Sequence, residues 1–240
     1  MRILIVNDDG MHAAQLPNLI RWARKYGEVT AFVPKVEQSG KSHSFEIKRD
    51  IEVKQEQIAE DVTVWSVDST PADCVRIAVL AKKLQFDLCI SGVNRGFNMG
   101  ADIMYSGTVA AAYEAVNLGI PAIALSTNPG NYDHATEELD RVWEFIHSRK
   151  LLSVNNIYNV NIPPQSKGFR ITSQGGPYYS DDFPLVGENL HRPLGKPVWE
   201  DSGDDTLDTD ATKHGYITIT PLQLDRTNKD VFRKLQALTV

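Results

Sequence analysis

The 240-residue sequence lacks most features that mark secreted, membrane-spanning and disulfide-rich proteins. It contains two cysteines, Cys74 and Cys89, and each lies within an apolar stretch, which predicts buried thiols in a reducing compartment. No apolar run is long enough to span a bilayer, and the N-terminus has no charged segment with a cleavage site. We therefore expect a cytoplasmic protein with no membrane partner.

Basic residues are also sparse. Lysine and arginine number 25 against 31 aspartates and glutamates, for a net charge of −6, and no basic run exceeds two residues. Binding of duplex nucleic acid neutralises many phosphates, so a duplex partner is not expected, whereas a single nucleotide is compatible. The glycine-rich stretch 91–102 lacks Gly-Lys-Ser/Thr in register, and no Gly-x-Gly-x-x-Gly follows the first strand, which argues against ATP hydrolysis and dinucleotide binding.

Strand-like and helix-like segments alternate over the first 150 residues. Strand-like runs are 2–6, 28–33, 62–67, 87–91 and 121–126, and helix-like runs end near 25, 83, 118 and 149. Such alternation is typical of parallel strands joined by right-handed crossovers. The pattern predicts an α/β fold with three layers, a doubly wound, mainly parallel and Rossmann-like sheet. An alternating stretch at 45–53 suggests an added strand or half of a hairpin.

The pattern changes in the last third of the chain. Residues 157–162, 169–172 and 215–220 are strand-like, but 174–210 is rich in Gly, Pro and Asp and has little periodicity. A connection that long is unusual inside a compact domain. We expect a core at 1–155 that carries the site, followed at 156–240 by strands, an extended arm and a terminal helix that pack on the core and on a neighbouring subunit.

Two adjacent carboxylates, Asp8 and Asp9, follow the apolar run Ile3-Leu4-Ile5-Val6. The carboxyl end of a buried parallel strand is where ligands bind in open α/β sheets. Like charges repel there unless a cation or hydrogen-bond donors hold them, so the pair points to a divalent-metal site. The alternative is a polar turn in which Asn7 and Gly10 serve only the bend.

Three more loops are predicted at the same edge of the sheet. One contains Ser39 and Gly40, and another contains Asn94 and Asn98, whose amide oxygens suit a metal. In the third, 105–114, Ser106 and Thr108 flank Gly107 at the start of an alanine-rich helix, where free backbone amides favour a phosphate. Flexible loops and a plain helix cap are the alternatives.

The donors expected at this edge are hard oxygen atoms, and the six histidines show no paired spacing typical of zinc. Magnesium or manganese therefore fits best. Acids, a metal and a phosphate-sized pocket together are suited to metal-assisted transfer of a phosphoryl group to water.

The chain resembles the SurE family, survival protein E, whose members are described as 5′/3′-nucleotidases. The matching motifs are Asn7-Asp8-Asp9-Gly10, Ser39-Gly40, Ser91-Gly92-Val93-Asn94-Arg95-Gly96, Tyr105-Ser106-Gly107-Thr108 and Gly119-Ile120-Pro121-Ala122-Ile123-Ala124. The match is dense to about residue 128. Two departures, Gln38 before Ser-Gly and Met11 after the Asp-Asp-Gly turn, border the site and bear on substrate preference.

The resemblance implies hydrolysis of nucleoside 5′- and 3′-monophosphates, with short-chain polyphosphate as a further substrate, and one Mg²⁺ or Mn²⁺ per subunit. The implied metal ligands are Asp8, Asp9, Ser39 and Asn94, with Asp8 and Asp9 also catalytic. The implied phosphate-binding residues are Gly40, Asn98, Ser106, Gly107 and Thr108. The family also implies a homodimer or homotetramer with exchanged C-terminal segments.

Two other classes compete with this interpretation. A receiver-like signalling module also binds Mg²⁺ through an acidic pair, and Asp68 after strand 62–67 would be its phosphoacceptor. Such modules are about half this length and need a lysine where Thr127-Asn128 stands. A phosphomonoesterase of broad specificity is the second alternative, although the haloacid-dehalogenase type needs Asp-x-Asp rather than adjacent acids.

Overall fold

A computed structural model describes residues 1–236 and Leu238. Its strands are β1 Arg2–Val6, β2 Glu28–Pro34, β3 Val53–Ala59, β4 Val62–Val67, β5 Leu88–Arg95, β6 Ala122–Thr127, β7 Ile157–Ile162, β8 Phe169–Ile171, β9 Tyr179–Asp182, β10 Leu185–Gly187, β11 Leu190–His191, β12 Leu194–Pro197 and β13 Ile217–Pro221. Its α-helices are α1 Leu16–Ala23, α2 Pro71–Arg76, α3 Gly107–Asn117, α4 Tyr132–Ser148, α5 Leu151–Val154, α6 Asp208–Lys213 and α7 Lys229–Gln236. A π-helical turn, Ile77–Ala81, extends α2, and a 3₁₀-helix, Gly100–Tyr105, precedes α3.

Nine strands form one sheet in the order β3-β4-β2-β1-β5-β6-β7-β13-β8. The strands from β4 to β7 run parallel, while β3 is antiparallel to β4 and β13 is antiparallel to β7. The predicted α/β fold with a mainly parallel sheet is therefore confirmed. No helix among the described residues has the length and apolar character to cross a membrane.

Helices cover both faces of the sheet because the central strands are apolar on both sides. In β1, Ile3 and Ile5 pack in one cluster with residues of α1 and α4. The alternate residues Leu4 and Val6 pack in a second cluster with residues of α2 and α3. Successive side chains of a strand point to opposite faces, so a run of four apolar residues produces a three-layer fold.

The strand order reverses direction at β1. From β1 the chain builds β2 and β4 on one side, and then it crosses to the other side to add β5, β6 and β7. A crevice opens where loops diverge from such a switch point, at the carboxyl ends of the strands. The segments that follow β1 and β2 meet the end of β5 there, which brings Asp8, Ser39 and Asn94 to one edge of the sheet.

The prediction of a strand at 45–53 is wrong, because residues 45–52 are irregular and bend at 47–49. The carboxylate of Glu46 accepts hydrogen bonds from the backbone N–H groups of Ile47 and Lys48, at 3.0 and 2.9 Å. Local side-chain bonds of this kind satisfy the backbone without a strand partner. The antiparallel strand begins only at Val53, and β3 pairs with β4 as a hairpin.

The segment that follows β8 is fastened to the loop that follows β5 by a buried carboxylate. Asp208, fully buried at the start of α6, accepts hydrogen bonds from the backbone N–H groups of Gly100, at 3.0 Å, and Gly175, at 2.8 Å. A Cβ atom at Gly100, whose φ is +59°, would collide with the carbonyl oxygen of Gly176. Two distant stretches of chain therefore touch through their backbones.

The raised pKa of the Asp208 carboxyl group predicts that the stability of the protein depends on pH. Burial raises its pKa from 3.8 to about 6, so the folded state binds this proton more tightly than the unfolded state. The stability that this group contributes is present below about pH 4 and declines as pH rises towards about 6. Relative to Asp208→Asn, the free energy of unfolding of the parent should fall by up to about 3 kcal/mol across that window. Denaturant titrations from pH 4 to 7 measure the difference, and a constant difference would contradict this account.

Candidate active site

A cavity of about 430 Å³ lies at the carboxyl edge of the sheet and collects most of the predicted site residues. Six of the nine line it directly: Asp8, Ser39, Gly40, Asn94, Asn98 and Ser106. The other three lie next to lining residues. Asp9 is hydrogen-bonded to Arg95, and Gly107 and Thr108 lie against Asp8. The structure thus brings together side chains that are up to 100 residues apart in sequence.

Asp8 is the most confined charge in the cavity, with 3% of its surface exposed. Its pKa is raised to about 6, mainly by burial and also by the neighbouring charge of Asp9, although hydrogen bonds from Thr108 favour the ionised form. The hydroxyl of Thr108 donates to Asp8 Oδ1 at 2.5 Å. Because few donors offset the burial, a cation beside Asp8 would stabilise its charged form.

Asp9 is held from two directions. Its Oδ2 atom accepts hydrogen bonds from the side-chain amide of Gln15, at 2.7 Å, and from the backbone N–H of Arg95, at 3.1 Å. Gln15 is itself buried and also donates to the carbonyl oxygen of Val93. Burial raises the pKa of Asp9 as it does that of Asp8. The sequence did not reveal Gln15, because a single glutamine near a helix start resembles a surface residue.

Ser39 and Asn94 are the two neutral residues among the four predicted metal ligands. The hydroxyl of Ser39 donates to Glu37 Oε1 at 2.7 Å, which leaves the lone pairs of its oxygen for another partner. The side-chain nitrogen of Asn94 donates to the carbonyl oxygen of Gly96 at 2.8 Å, which directs the amide oxygen elsewhere. Two carboxylates, an amide oxygen and a hydroxyl fit Mg²⁺ or Mn²⁺ by donor chemistry. Within residues 1–236 and Leu238, no group of three or more His, Cys, Asp or Glu forms an alternative metal site.

The start of α3 lies against the acidic pair. Ser106 caps the helix, because its hydroxyl oxygen accepts the backbone N–H of Val109 at 3.1 Å, yet the hydroxyl also lines the cavity and keeps its own proton to donate. An anion is favoured at this helix end. The hydroxyl of Thr108, predicted to contact phosphate, is instead engaged by Asp8.

Asn98 is tied into the sheet. Its backbone N–H donates to Asn161 Oδ1 at 2.9 Å, and its side-chain nitrogen donates to Ser126 Oγ at 2.8 Å. The side chains of Asn159 and Asn161 both donate to its carbonyl oxygen. The position of Asn98 is therefore rigid. The hydrogen bonds of the described residues use one of its two side-chain N–H donors and leave the other available to a ligand.

An aromatic wall, Tyr178 and Tyr179, closes one side of the cavity. Their rings meet edge to face, with centroids 4.8 Å apart. Both backbone N–H groups donate to Asp102 Oδ2, at 3.0 and 2.7 Å, and this carboxylate joins the wall to the 3₁₀-helix. Sequence reasoning missed these residues, although two adjacent tyrosines in a polar stretch were a visible signal.

Comparison with known proteins shows the family of the chain. Residues 3–181 match the family described as Survival protein SurE. The chain belongs to the SurE family. It is 35% identical over 246 residues to "5′-nucleotidase SurE" of Pelotomaculum thermopropionicum, covering 99% of this chain and 95% of that protein. It is 38% identical over 248 residues to the protein of the same name from Gemmatimonas aurantiaca, covering 96% of each. The crystal structure of SurE from Aquifex aeolicus superposes with a TM-score of 0.77 over the whole of both chains, at 31% identity.

Membership of the SurE family confirms the resemblance inferred from four loops, and it excludes the receiver interpretation. Asp68, the residue considered as a phosphoacceptor, does not line the cavity and instead accepts a hydrogen bond from Arg49 at 2.9 Å.

The variant Gly107→Ala tests whether the contact between α3 and Asp8 supports metal binding. A Cβ atom at Gly107 would lie 2.9 Å from Asp8 Cβ and 3.1 Å from Asp8 Oδ2, so Gly107→Ala should displace the carboxylate. We expect the dissociation constant for Mn²⁺, measured by calorimetry, to rise about tenfold or more. Gly176→Ala is the matched control, because its Cβ would meet no atom within 4 Å. Equal Mn²⁺ affinity in both variants would contradict the prediction.

Proposed function

We propose that the protein is a divalent-metal-dependent 5′-nucleotidase, which hydrolyses nucleoside 5′-monophosphates to nucleoside and phosphate. The observation that carries the proposal is the acidic pair beside the N-terminus of α3, in which buried Asp8 lines the cavity and partly buried Asp9 lies next to it. Relatives that cover nearly all of this chain carry the name 5′-nucleotidase SurE, which supports the same reaction.

In this proposal, Asp8, Asp9, Ser39 and Asn94 hold one Mg²⁺ or Mn²⁺ per subunit. When bound, such an ion neutralises charge on phosphoryl oxygens and lowers the pKa of water. The chain's own groups do the rest of the positioning. Thr108 and Gln15 orient the two carboxylates, and the Ser106 hydroxyl donates to a phosphate oxygen at the start of α3.

The phosphate group would also meet the backbone of Gly40, whose φ is +71° and whose Cβ position is open, so an anion approaches the main chain unhindered. Gly107 lies one residue beyond Ser106 and brings the helix end close to Asp8. Asn98, held in a rigid position, would donate the second N–H of its side-chain nitrogen to a phosphate oxygen.

The aromatic wall supports a nucleoside as the leaving group. Tyr178 and Tyr179 line the same cavity as Asp8, and planar bases stack on aromatic side chains. The cavity volume of about 430 Å³ leaves room beyond the phosphate for a sugar and part of a base. Nucleoside 3′-monophosphates and short-chain polyphosphate are further proposed substrates. Comparable turnover of phosphate esters without a base would favour a phosphomonoesterase of broad specificity.

We also propose a cytoplasmic homodimer or homotetramer that exchanges C-terminal segments, with the core ending near residue 155. β7 and β13 continue the sheet of the core, but the hairpin of β9 and β12 and helix α7 extend from it. On α7, Val231, Phe232 and Leu235 are about half exposed in the isolated chain. An apolar helix face left in water indicates an interaction surface.

Asp8→Asn tests the proposed reaction. The change keeps the shape of the side chain but removes an anionic ligand, so kcat/KM for a nucleoside 5′-monophosphate with saturating Mn²⁺ should fall about 100- to 1,000-fold. The melting temperature should not fall, because burial disfavours the ionised carboxylate. Asp50→Asn, at an exposed position, should retain parent activity. If Asp8→Asn kept the turnover of the parent, the acidic pair would serve only as a polar turn and would have no part in the reaction.

Phe232→Glu tests the proposed assembly. A charge on the apolar face of α7 should lower the molecular mass found by sedimentation velocity, because it would be desolvated in the interface. Arg233→Gln changes net charge equally on another side of the helix, and it should leave the mass unchanged. An unaltered mass for Phe232→Glu would remove α7 from the interface.

A further inference from the structure

Arg95 has the only cationic side chain among the described residues that line the cavity. Its Nη2 atom lies 3.3 and 3.4 Å from the two carboxylate oxygens of Glu37. Both side chains are about half exposed, at 54% and 49%. The cavity also contains or borders the carboxylates of Asp8, Asp9 and Asp102, so a phosphate dianion that enters it meets mostly negative charge.

We propose that Arg95 is a substrate-binding residue whose guanidinium exchanges Glu37 for the phosphate group of the bound ester. This inference rests on the proposed function and adds a residue to its phosphate site. Glu37 serves in turn as a resting partner, which holds the guanidinium at the cavity until an anion replaces it.

The resting ion pair is weak enough to exchange. Exposed pairs contribute roughly 0–1 kcal/mol, and the contacts of Arg95 with Glu37 are longer than good charge-assisted hydrogen bonds. A phosphate dianion carries more charge than a carboxylate and accepts two parallel hydrogen bonds from a guanidinium. The exchange is therefore favoured once substrate occupies the cavity.

Only the side chain of Arg95 has to move. Its backbone N–H is held by Asp9 Oδ2 at 3.1 Å, and the next residue, Gly96, donates its N–H to the carbonyl oxygen of Thr127 at 2.8 Å. The Cα atom is thus anchored beside Asn94 and Asp9 whether or not the guanidinium is paired. An arginine fixed at its base and free at its tip is suited to binding an incoming anion.

Glu37 keeps a hydrogen-bond partner after the exchange, because its Oε1 atom also accepts the hydroxyl proton of Ser39 at 2.7 Å. The charge of Glu37 raises the pKa of Asp9, and the charge of Arg95 lowers it, so both groups act electrostatically on the acidic pair. Glu37→Gln would preserve an acceptor for Ser39 and remove only the charge that competes with phosphate.

The experiment measures binding of inorganic phosphate by calorimetry, with Mn²⁺ saturating for each variant. Arg95→Ala should weaken phosphate binding about tenfold, and Arg95→Lys should restore part of it, as expected for loss of a charged hydrogen bond. Glu37→Gln should tighten binding several-fold. The double variant, Glu37→Gln with Arg95→Ala, should match Arg95→Ala alone. Arg21→Ala, which removes the same charge at a pair with Asp61, should bind phosphate like the parent.

Two results would overturn the proposal: equal phosphate affinity in Arg95→Ala and the parent, or tightening by Glu37→Gln that persists without Arg95. Steady-state assays on a nucleoside 5′-monophosphate provide the second readout, in which Arg95→Ala should raise KM more than it lowers kcat. If the parent hydrolyses no nucleotide, the proposed function fails, whereas phosphate calorimetry still decides the role of Arg95.

Discussion

The structure depends on one electrostatic constraint, which is the placement of two adjacent carboxylates, buried Asp8 and partly buried Asp9, at the end of its central strand. Asp8 is almost inaccessible, and burial raises the pKa of both acids. The surrounding groups offset that cost only in part. Thr108 donates to Asp8, while Gln15 and a backbone amide donate to Asp9. These groups supply little positive charge, and this deficit is the physical basis for the proposed cation and for the proposed role of Arg95.

The topology of the sheet determines where this charge lies. β1 is the central strand from which the chain departs in both directions, so the loops after β1 and β5 separate and leave a crevice between them. The C-terminal third then converts the crevice into a cavity. Asp102 and Asp208 fasten residues 175–179 to the loop after β5, which places the aromatic wall in the same cavity as Asp8. Two carboxylates outside the acidic pair therefore hold the segment that closes the cavity.

Much of the fold and part of the site were predictable from local pattern. Alternation of apolar strands with helices predicted the parallel sheet, and the acidic pair with Ser39 and Asn94 was assigned to one edge of it. Side chains that act through long-range contacts were not predictable. Gln15 and the two tyrosines are positioned by distant residues that accept their hydrogen bonds. The prediction of a strand at 45–53 was wrong because the side chain of Glu46 accepts hydrogen bonds from the next two backbone N–H groups.

The sequence by itself determined the fold class, the family and the chemical types of the oxygen donors, since periodicity and strand-end motifs are local properties of the chain. Only the tertiary structure decided how those donors are used. It assigned the Thr108 hydroxyl to Asp8, joined Glu37 to both Ser39 and Arg95, and fastened Gly100 against Gly176. The physical reason is that hydrogen bonds and charges are selected by distance in space, and folding brings together residues that lie far apart in the chain.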